Sequence, residues 1–209
     1  MGKYGMAAGL FAGVTLLVTG CAAPRITETP RSAVEQFLIA TVTERGIQDA
    51  DFSEYSGKKV FLEYEYLAPQ VDKPYVQGVL ELHLAQSGII VTRDVKEADI
   101  MIQAICGVLA TDTNRFAIGT PALPIPLPNT NINFGIPEIP LFEKHSRKAW
   151  SRFSFNILEP GTRKPIASIT GLEASAYYTN WTILLVPFKS YDMPLDIKGG
   201  EKSHFQLNW

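Results

Sequence analysis

Residues 88–112, GIIVTRDVKEADIMIQAICGVLATD, decide the fold because they contain a long strand that is apolar on both faces. Between residues 98 and 111 the side chains alternate between two sets of positions. One set is Ile100, Ile102, Ala104, Cys106 and Val108, and the other is Met101, Gln103, Ile105 and Leu109. Because both sets are mostly apolar, the pattern predicts a central strand that is covered on two sides. Residues 89–92 predict a shorter strand just before it.

A strand and a helix precede this segment. Residues 58–66 (KKVFLEYEY) alternate between an apolar set and a second set that contains Glu63 and Glu65, which predicts a strand. A helix is predicted from Asp72 and Pro74 to Gly88, with the proline in the first turn, where its missing N–H costs nothing. A strand, a helix and a strand of this size favour a right-handed parallel βαβ crossover.

A first helix is predicted at the start of the domain. Ser32-Ala33-Val34-Glu35 has the residue types of a capping box, and apolar residues recur after it at helical spacing. Gly46 is the predicted end of this helix.

The second half of the chain predicts antiparallel strands. Residues 148–158 and 166–178 form a predicted hairpin, and residues 181–188 (WTILLVPF) predict one more strand. The predicted fold class is therefore α+β. It consists of a mixed, largely antiparallel sheet with two helices packed on one face and a Pro-rich apolar insertion.

That insertion, residues 116–142, is unusual in composition. It contains prolines at 121, 124, 126, 128, 137 and 140 and a single charged residue, Glu138. Proline at this density opposes an ordinary helix or a central strand. Two interpretations stay open: the segment folds back over one sheet face and completes the core, or it presents an apolar surface to another subunit, a partner or a bilayer.

The N-terminal residues predict a lipoprotein signal. Lys3 precedes an apolar stretch from Met6 to Val18, which is too short to cross a hydrocarbon core of about 30 Å. The stretch ends in Leu17-Val18-Thr19-Gly20-Cys21, which resembles the lipobox of bacterial lipoproteins. Cys21 is therefore the predicted lipidation site. Its diacylglycerol and amide-linked acyl chain, such as palmitate, would give stable membrane attachment.

Composition and charge exclude several classes of function. The chain has 19 basic and 21 acidic residues, and loss of the leader with Lys3 changes the formal charge from −2 to 18 − 21 = −3. Nucleic-acid binding needs a basic face, so no nucleic-acid partner is expected. No run of Lys and Arg predicts binding to anionic lipid head groups, so the lipid on Cys21 is expected to provide the membrane attachment.

No pattern of catalytic or metal-binding residues is recognisable, so neither an enzyme nor a cofactor is predicted. Cys106 lies in an apolar run and is predicted to be a buried, unreactive thiol. The histidines His83, His145 and His204 do not have metal-ligand spacing. Glu63 and Glu65 form a carboxylate pair on one strand face, and ordinary solvation is expected there. No small-molecule substrate is evident.

Residues 58–112 resemble two groups of small periplasmic α/β lipoproteins. One is an uncharacterised domain-of-unknown-function family, and the other is the TraT family of conjugal surface-exclusion lipoproteins. The shared layout is KKVFLEYEY, a helix, a Gly-hydrophobic strand and Ala98-Asp99 before the long strand, behind a lipobox leader and a capped helix. The resemblance implies a lipoprotein fold and brings no catalytic residues.

The expected organisation is a signal peptide at 1–20, a tether at 21–31, one α+β domain at 32–190 and a C-terminal tail at 191–209. The expected function is non-enzymatic: a membrane-anchored lipoprotein that binds or scaffolds other cell-envelope components. The alternative is an oligomeric channel or surface-exclusion lipoprotein that assembles through the insertion. Ala22 and Ala23 follow Cys21 without an aspartate, which by resemblance to enterobacterial sorting rules favours the outer membrane, facing the periplasm.

Replacing Cys21 with serine is expected to leave the protein unprocessed or released from the membrane, because the acyl chains are its only predicted strong attachment. Mass spectrometry of the mature N-terminus of the unaltered chain checks the premise. An unmodified Cys21, or cleavage at another bond, would contradict it.

Overall fold

Six strands form one mixed sheet in the order β2-β1-β3-β6-β7-β8. The computed structural model describes residues 31–120, 123–125, 134–136 and 139–194. β1 runs parallel to β2 and β3, and the pairs β3–β6, β6–β7 and β7–β8 are antiparallel. The strands are β1 Lys59–Glu63, β2 Ile90–Thr92, β3 Ile100–Thr120, β4 Leu123–Ile125, β5 Phe134–Ile136, β6 Ile139–Leu158, β7 Pro165–Ile183 and β8 Val186–Tyr191.

Two α-helices pack on one face of this sheet, and the predicted α+β class is therefore confirmed. They are α1, Ala33–Gln48, and α2, Lys73–Gln86, and short 3₁₀ turns lie at Ser53–Tyr55 and Val95–Glu97. α2 connects the parallel neighbours β1 and β2, with Pro74 in its first turn as predicted. In the part of the chain that is described, neither helix is long and apolar enough to cross a membrane.

The core lies between the helices and the covered face of the sheet, in two groups of buried side chains. The larger joins α2 and the end of α1 to β1, β3 and β6, and includes Leu80, Ile102 and Phe155. The smaller lies under α1, where Leu38 and Val42 contact Ala149, Ala176 and Met193. Burial of a leucine-sized side chain contributes about 1.5–3 kcal/mol, so these groups fix both helices on the sheet.

Residues just after β8 also join α1 to the sheet. The Arg45 guanidinium donates to the Ser175 carbonyl at 2.9 Å and contacts the Asp192 carboxylate at 3.2 Å. The other oxygen of that carboxylate accepts a hydrogen bond from the Tyr177 amide at 2.7 Å. Asp192 and Met193, in the predicted C-terminal tail, are therefore part of the folded domain up to the end of the described residues.

Gly46 lies inside α1 and does not end it as predicted. A Cβ atom at this position would lie 2.9 Å from Phe153 Cδ2 and 2.9 Å from Ser151 Oγ. The missing side chain lets the helix approach β6 closely, and Ser151 Oγ donates a buried hydrogen bond to the Val42 carbonyl at 2.8 Å. Glycine is therefore required here for close packing.

The ends of the Pro-rich insertion are strands, which corrects the prediction for residues 116–142. β3 continues to Thr120, and β6 begins at Ile139, with Pro140 opposite Gly119. Proline is tolerated there because β7 pairs with β6 only from Phe142 onward, so among the described strands none pairs with residue 140 on that side. Between these ends, β4 and β5 pair as a two-stranded sheet, and the other positions lie outside the described residues.

Residues 181–188 are also not one strand. The chain reverses at Leu184 and Leu185, whose φ angles are 47° and 70°, and Ile183 pairs with Val186. Two consecutive positive φ angles define a type I′ hairpin turn, in which asparagine and glycine are strongly preferred. Leucine is a poor turn residue, which is why the reversal cannot be recognised from the sequence.

The double substitution L184N/L185G is expected to raise the free energy of unfolding by about 1 kcal/mol. Positive φ costs a non-glycine residue roughly 1–3 kcal/mol, and the added chain entropy of glycine offsets part of the gain. Chemical denaturation monitored by circular dichroism measures the change.

L82N on the exposed side of α2 is the matched control, because it also removes an exposed leucine. It should lower the free energy of unfolding by a few tenths of a kcal/mol through helix propensity. A decrease for L184N/L185G as well would contradict the turn assignment.

Candidate functional site

The predicted site residues do not come together in the described part of the chain. Cys21 and His204 lie outside the described residues. The ring of His83 on α2 hydrogen-bonds through Nε2 to the Ala50 carbonyl at 2.8 Å, and His145 lies on β6. Within the described ranges, no group of three or more His, Cys, Asp or Glu side chains is placed to hold a metal ion.

Cys106 is buried, as predicted. Its Sγ donates to the Val108 carbonyl at 3.4 Å, and burial raises the pKa of the thiol to about 11. Because the thiolate is the nucleophile, this side chain is inert near neutral pH.

The carboxylates at 63 and 65 have different environments, which corrects the expectation that both are simply solvated. Glu65 is exposed, but Glu63 accepts two hydrogen bonds of 2.8 Å from the Arg163 guanidinium. Gln103 Nε2 also donates a hydrogen bond to Glu63, and Gln103 Oε1 accepts one from Asn156 at 3.0 Å. The Arg163 hydrogen bonds hold the pKa of Glu63 below its usual value. This network holds the β6–β7 turn against β1. Its role is therefore to stabilise the fold.

The exposed site of interest lies where the sheet extends beyond the helices. We call residues 112–120 of β3, 142–148 of β6, 177–183 of β7 and all of β8 the distal sheet. On its face opposite α1 and α2 the paired residues form three rows across the four strands. The rows are Ile118–Phe142–Ile183–Val186, then Phe116–Lys144–Trp181–Phe188, then Asn114–Ser146–Thr179–Ser190.

These rows change in polarity along the strand direction. The outermost row is aliphatic and aromatic, the second combines three aromatic rings with one lysine, and the third has hydroxyl and amide groups. We call this surface the graded face. Phe116 and Ile118 are 54% and 56% exposed, so the β3 side of this face is open to solvent, whereas Thr179 in the third row is buried. An exposed apolar surface with a polar border is typical of a binding surface.

Ring contacts join the second row to Phe142 of the outermost row. The Phe142 ring meets Phe116 at 6.1 Å and Trp181 at 6.0 Å between centroids, both in edge-to-face geometry. The Lys144 ammonium lies 4.5 Å above the Trp181 ring, within the range of a cation–π interaction. This part of the graded face is therefore preorganised, with a cation at its centre.

Two open grooves run along the graded face. The groove between β3 and β6 has a volume of about 830 Å³ and is lined by polar residues that include Asp112, Lys144 and Lys148. The groove along β7 and β8 has a volume of about 380 Å³ and is mostly apolar, with Tyr177, Trp181 and Phe188 in its lining. Side by side, they suit a ligand that has an apolar part and an anionic part.

Strand pairing also gathers charges that are separated in the sequence. The distal sheet carries five basic residues against two acidic ones, although acidic residues are in excess in the whole chain. They are Arg115, Lys144, Arg147, Lys148 and Lys189 against Asp112 and Glu143. Lys144 and Lys148 lie on the graded face, whereas Arg115, Arg147 and Lys189 lie on the opposite face, so the excess belongs to this end of the sheet as a whole. Sequence reasoning missed it because its members lie on three strands. The available signal was a change of pattern within β6. The odd positions 149, 153, 155 and 157 are apolar, whereas Phe142, Lys144 and Lys148 occupy even positions.

The fold and the site define a class: an α+β domain with two helices on one side of a mixed sheet and an exposed, amphipathic distal sheet. The chain belongs to a family of unknown function, DUF6655, whose profile matches residues 15–190. The prediction of an uncharacterised domain-of-unknown-function family is thereby confirmed.

Other comparisons add a weak likeness. The curated proteins give no match. One similar solved structure, from Helicobacter pylori, is described as a homolog of a neuraminyllactose-binding hemagglutinin. The alignment covers 61% of this chain and 69% of that one, with 12% identity and a TM-score of 0.27.

Alkylation of Cys106 in the native protein near neutral pH is expected to be slow, because the thiol is buried and protonated. Denaturant should accelerate it by orders of magnitude. The rates are measured with an excess of iodoacetamide and mass spectrometry. Similar rates in both states would contradict the placement of this strand.

Proposed function

We propose that this protein is a non-enzymatic lipoprotein of the bacterial cell envelope. It is anchored by lipid on Cys21, faces the periplasm from the outer membrane, and binds other envelope components through the graded face. The exposure of this ordered, preorganised surface is the observation that carries the binding part of the proposal.

The anchoring part is supported by the leader. The short apolar stretch from Met6 to Val18 is followed by the lipobox-like run that ends at Cys21. Lipid on this residue would hold the domain at the membrane surface without a spanning helix.

The binding part is also supported by two aromatic side chains that lie next to the third row of the graded face, on the same side of the sheet. Trp150 and Tyr177 are 46% and 37% exposed and lie on the face of the sheet opposite α1 and α2. Tryptophan and tyrosine provide much contact area at low entropic cost, and they are enriched where proteins bind partners.

The second candidate is self-assembly into a channel or a surface-exclusion complex through residues 116–142. It is favoured by the exposed side chains of Phe116, Ile118 and Ile139 at the two ends of this segment. In that case the occupant of the graded face is another copy of the chain.

Photo-crosslinking in intact cells tests the proposal. A benzophenone side chain replaces Trp150 in one variant and Tyr177 in another, and Leu82 on α2 serves as the matched exposed control. Illumination should give a discrete adduct from positions 150 and 177 and none from 82.

The mass of the adduct separates the candidates. An adduct near twice the mass of the processed monomer indicates a second copy and favours assembly, whereas any other discrete mass indicates an envelope partner. No adduct from 150 or 177, or the same adducts from 82, would overturn the assignment of the graded face.

A further inference from the structure

The far end of the distal sheet is a solvent-exposed apolar surface. We call it the apolar tip: Ile118, Leu141, Ile183, Leu184, Leu185 and Val186. Each of these side chains is more than two-fifths exposed, and Leu184 and Leu185 reach 69% and 71%. The Leu184 amide donates to the Leu141 carbonyl at 2.8 Å, which ties the turn to β6. The tip is therefore an ordered surface.

The two turn leucines are unfavourable in two independent ways. Their positive φ angles strain the backbone, and their side chains extend into water. Asparagine and glycine would remove both costs at these two positions. Leucine at both is consistent with a tip that contacts an apolar phase.

Behind the tip lie the groups that membrane proteins place at the boundary of the bilayer. The row with Phe116, Trp181 and Phe188 is two residues, or about 7 Å, from the apolar row. Tryptophan favours the interfacial depth, and lysine keeps its charge in water while its stem lies along apolar surface. Lys144 over the Trp181 ring has this arrangement. The depth matches the roughly 5–10 Å to which surface-bound segments enter a bilayer.

The local charge selects the same occupant. Arg115 is paired with Glu143 at 2.6 Å, and the remaining excess of basic residues, spread over both faces of the distal sheet, complements anionic phospholipid head groups, which attract cations over about a Debye length. The acyl region then accommodates the tip itself.

The length of the N-terminal chain is compatible with this contact. The path from Cys21 to Ala33 is about 12 residues and can extend to at most about 40 Å. The first turn of α1 contacts β3 near its middle, where Thr111 lies within 3.5 Å of Glu35. The strand continues from Thr111 to Thr120, about 30 Å. A lipid on Cys21 and the apolar tip can therefore reach the same bilayer.

We infer that the apolar tip inserts into the lipid bilayer and orients the domain on its membrane, with Leu184 and Leu185 among the acyl chains and Lys144 and Trp181 at the head groups. This inference rests on the proposed attachment of the chain to a membrane.

Depth-dependent fluorescence quenching tests it. The full chain with Leu185→Cys is labelled with the environment-sensitive fluorophore NBD and reconstituted into vesicles of phosphatidylethanolamine and phosphatidylglycerol. Leu184→Cys is a second tip position, and Leu82→Cys is the matched control, since Leu82 is 60% exposed on α2. The unsubstituted chain gives the background of labelling, including any at Cys21.

Lipids with a doxyl group on the acyl chain should quench the labels at 184 and 185 by about twofold or more, and leave the label at 82 unchanged. Aqueous iodide should quench the label at 82 more strongly than the labels at 184 and 185. Equal quenching at 82 and 185 by either agent overturns the inference. Shielding at 185 that rises with protein density and not with doxyl lipid also overturns it, because a second copy then covers the tip.

Flotation of the same vesicles separates this inference from the proposed function. A chain that floats with an unquenched label at 185 leaves membrane attachment standing and overturns insertion of the tip. Mass spectrometry that finds Cys21 unmodified, together with a quenched label at 185, overturns the lipid anchor and supports the tip. A chain that does not float overturns both.

Discussion

A helix advances about 1.5 Å per residue and a strand about 3.3 Å, and the architecture of this protein depends on that difference. The 16 residues of α1 extend over about 24 Å, whereas the 20 residues of β6 extend over roughly 66 Å. Two helices of this size cover only part of the sheet length. The covered part holds the core, and the rest must be stable without cover from α1 or α2.

The sheet meets this constraint because its apolar side chains change from one face to the other along the strands. Under the helices, β6 directs Ala149, Phe153 and Phe155 toward the core. Further along the same strand the apolar and aromatic partners are on the opposite face, around Phe142 and Trp181. In β3 a bulge between Cys106 and Val108 inserts one extra residue opposite β6. Even-numbered side chains of β3 face the helices before the bulge, and odd-numbered ones face them after it. The exposed half is thus amphipathic, with its apolar side away from the helices.

Local signals were enough to predict the elements that local physics determines. Pro74 marks the first turn of α2, and the alternation around Ile102 marks the central strand, because each depends on neighbouring residues only. Gly46 was misread because glycine ends many helices, and its close contact with Phe153 comes from a strand far away in the sequence. The turn at Leu184 was missed because neither residue favours positive φ. The candidate site was beyond local reading, since it exists only when the strand register aligns Phe116, Lys144 and Trp181. The predicted lipidation of Cys21 rests on a linear motif, and it stays a prediction.

The attachment of α1 also sets the order in which the domain yields to a pulling force. Its polar contacts with the sheet and the residues just after β8 join positions far apart in the chain, among them Val42 with Ser151, Arg45 with Ser175 and Asp192, and Glu35 with Thr111. None of them belongs to the hydrogen-bond ladders between strands, which connect the sheet independently of the helix. Tension applied through the residues before Ala33 therefore loads α1 before any strand. Detachment of α1 would uncover Ala149, Ala176 and Met193 without breaking a hydrogen bond between strands, so the domain can lengthen under load before its sheet comes apart.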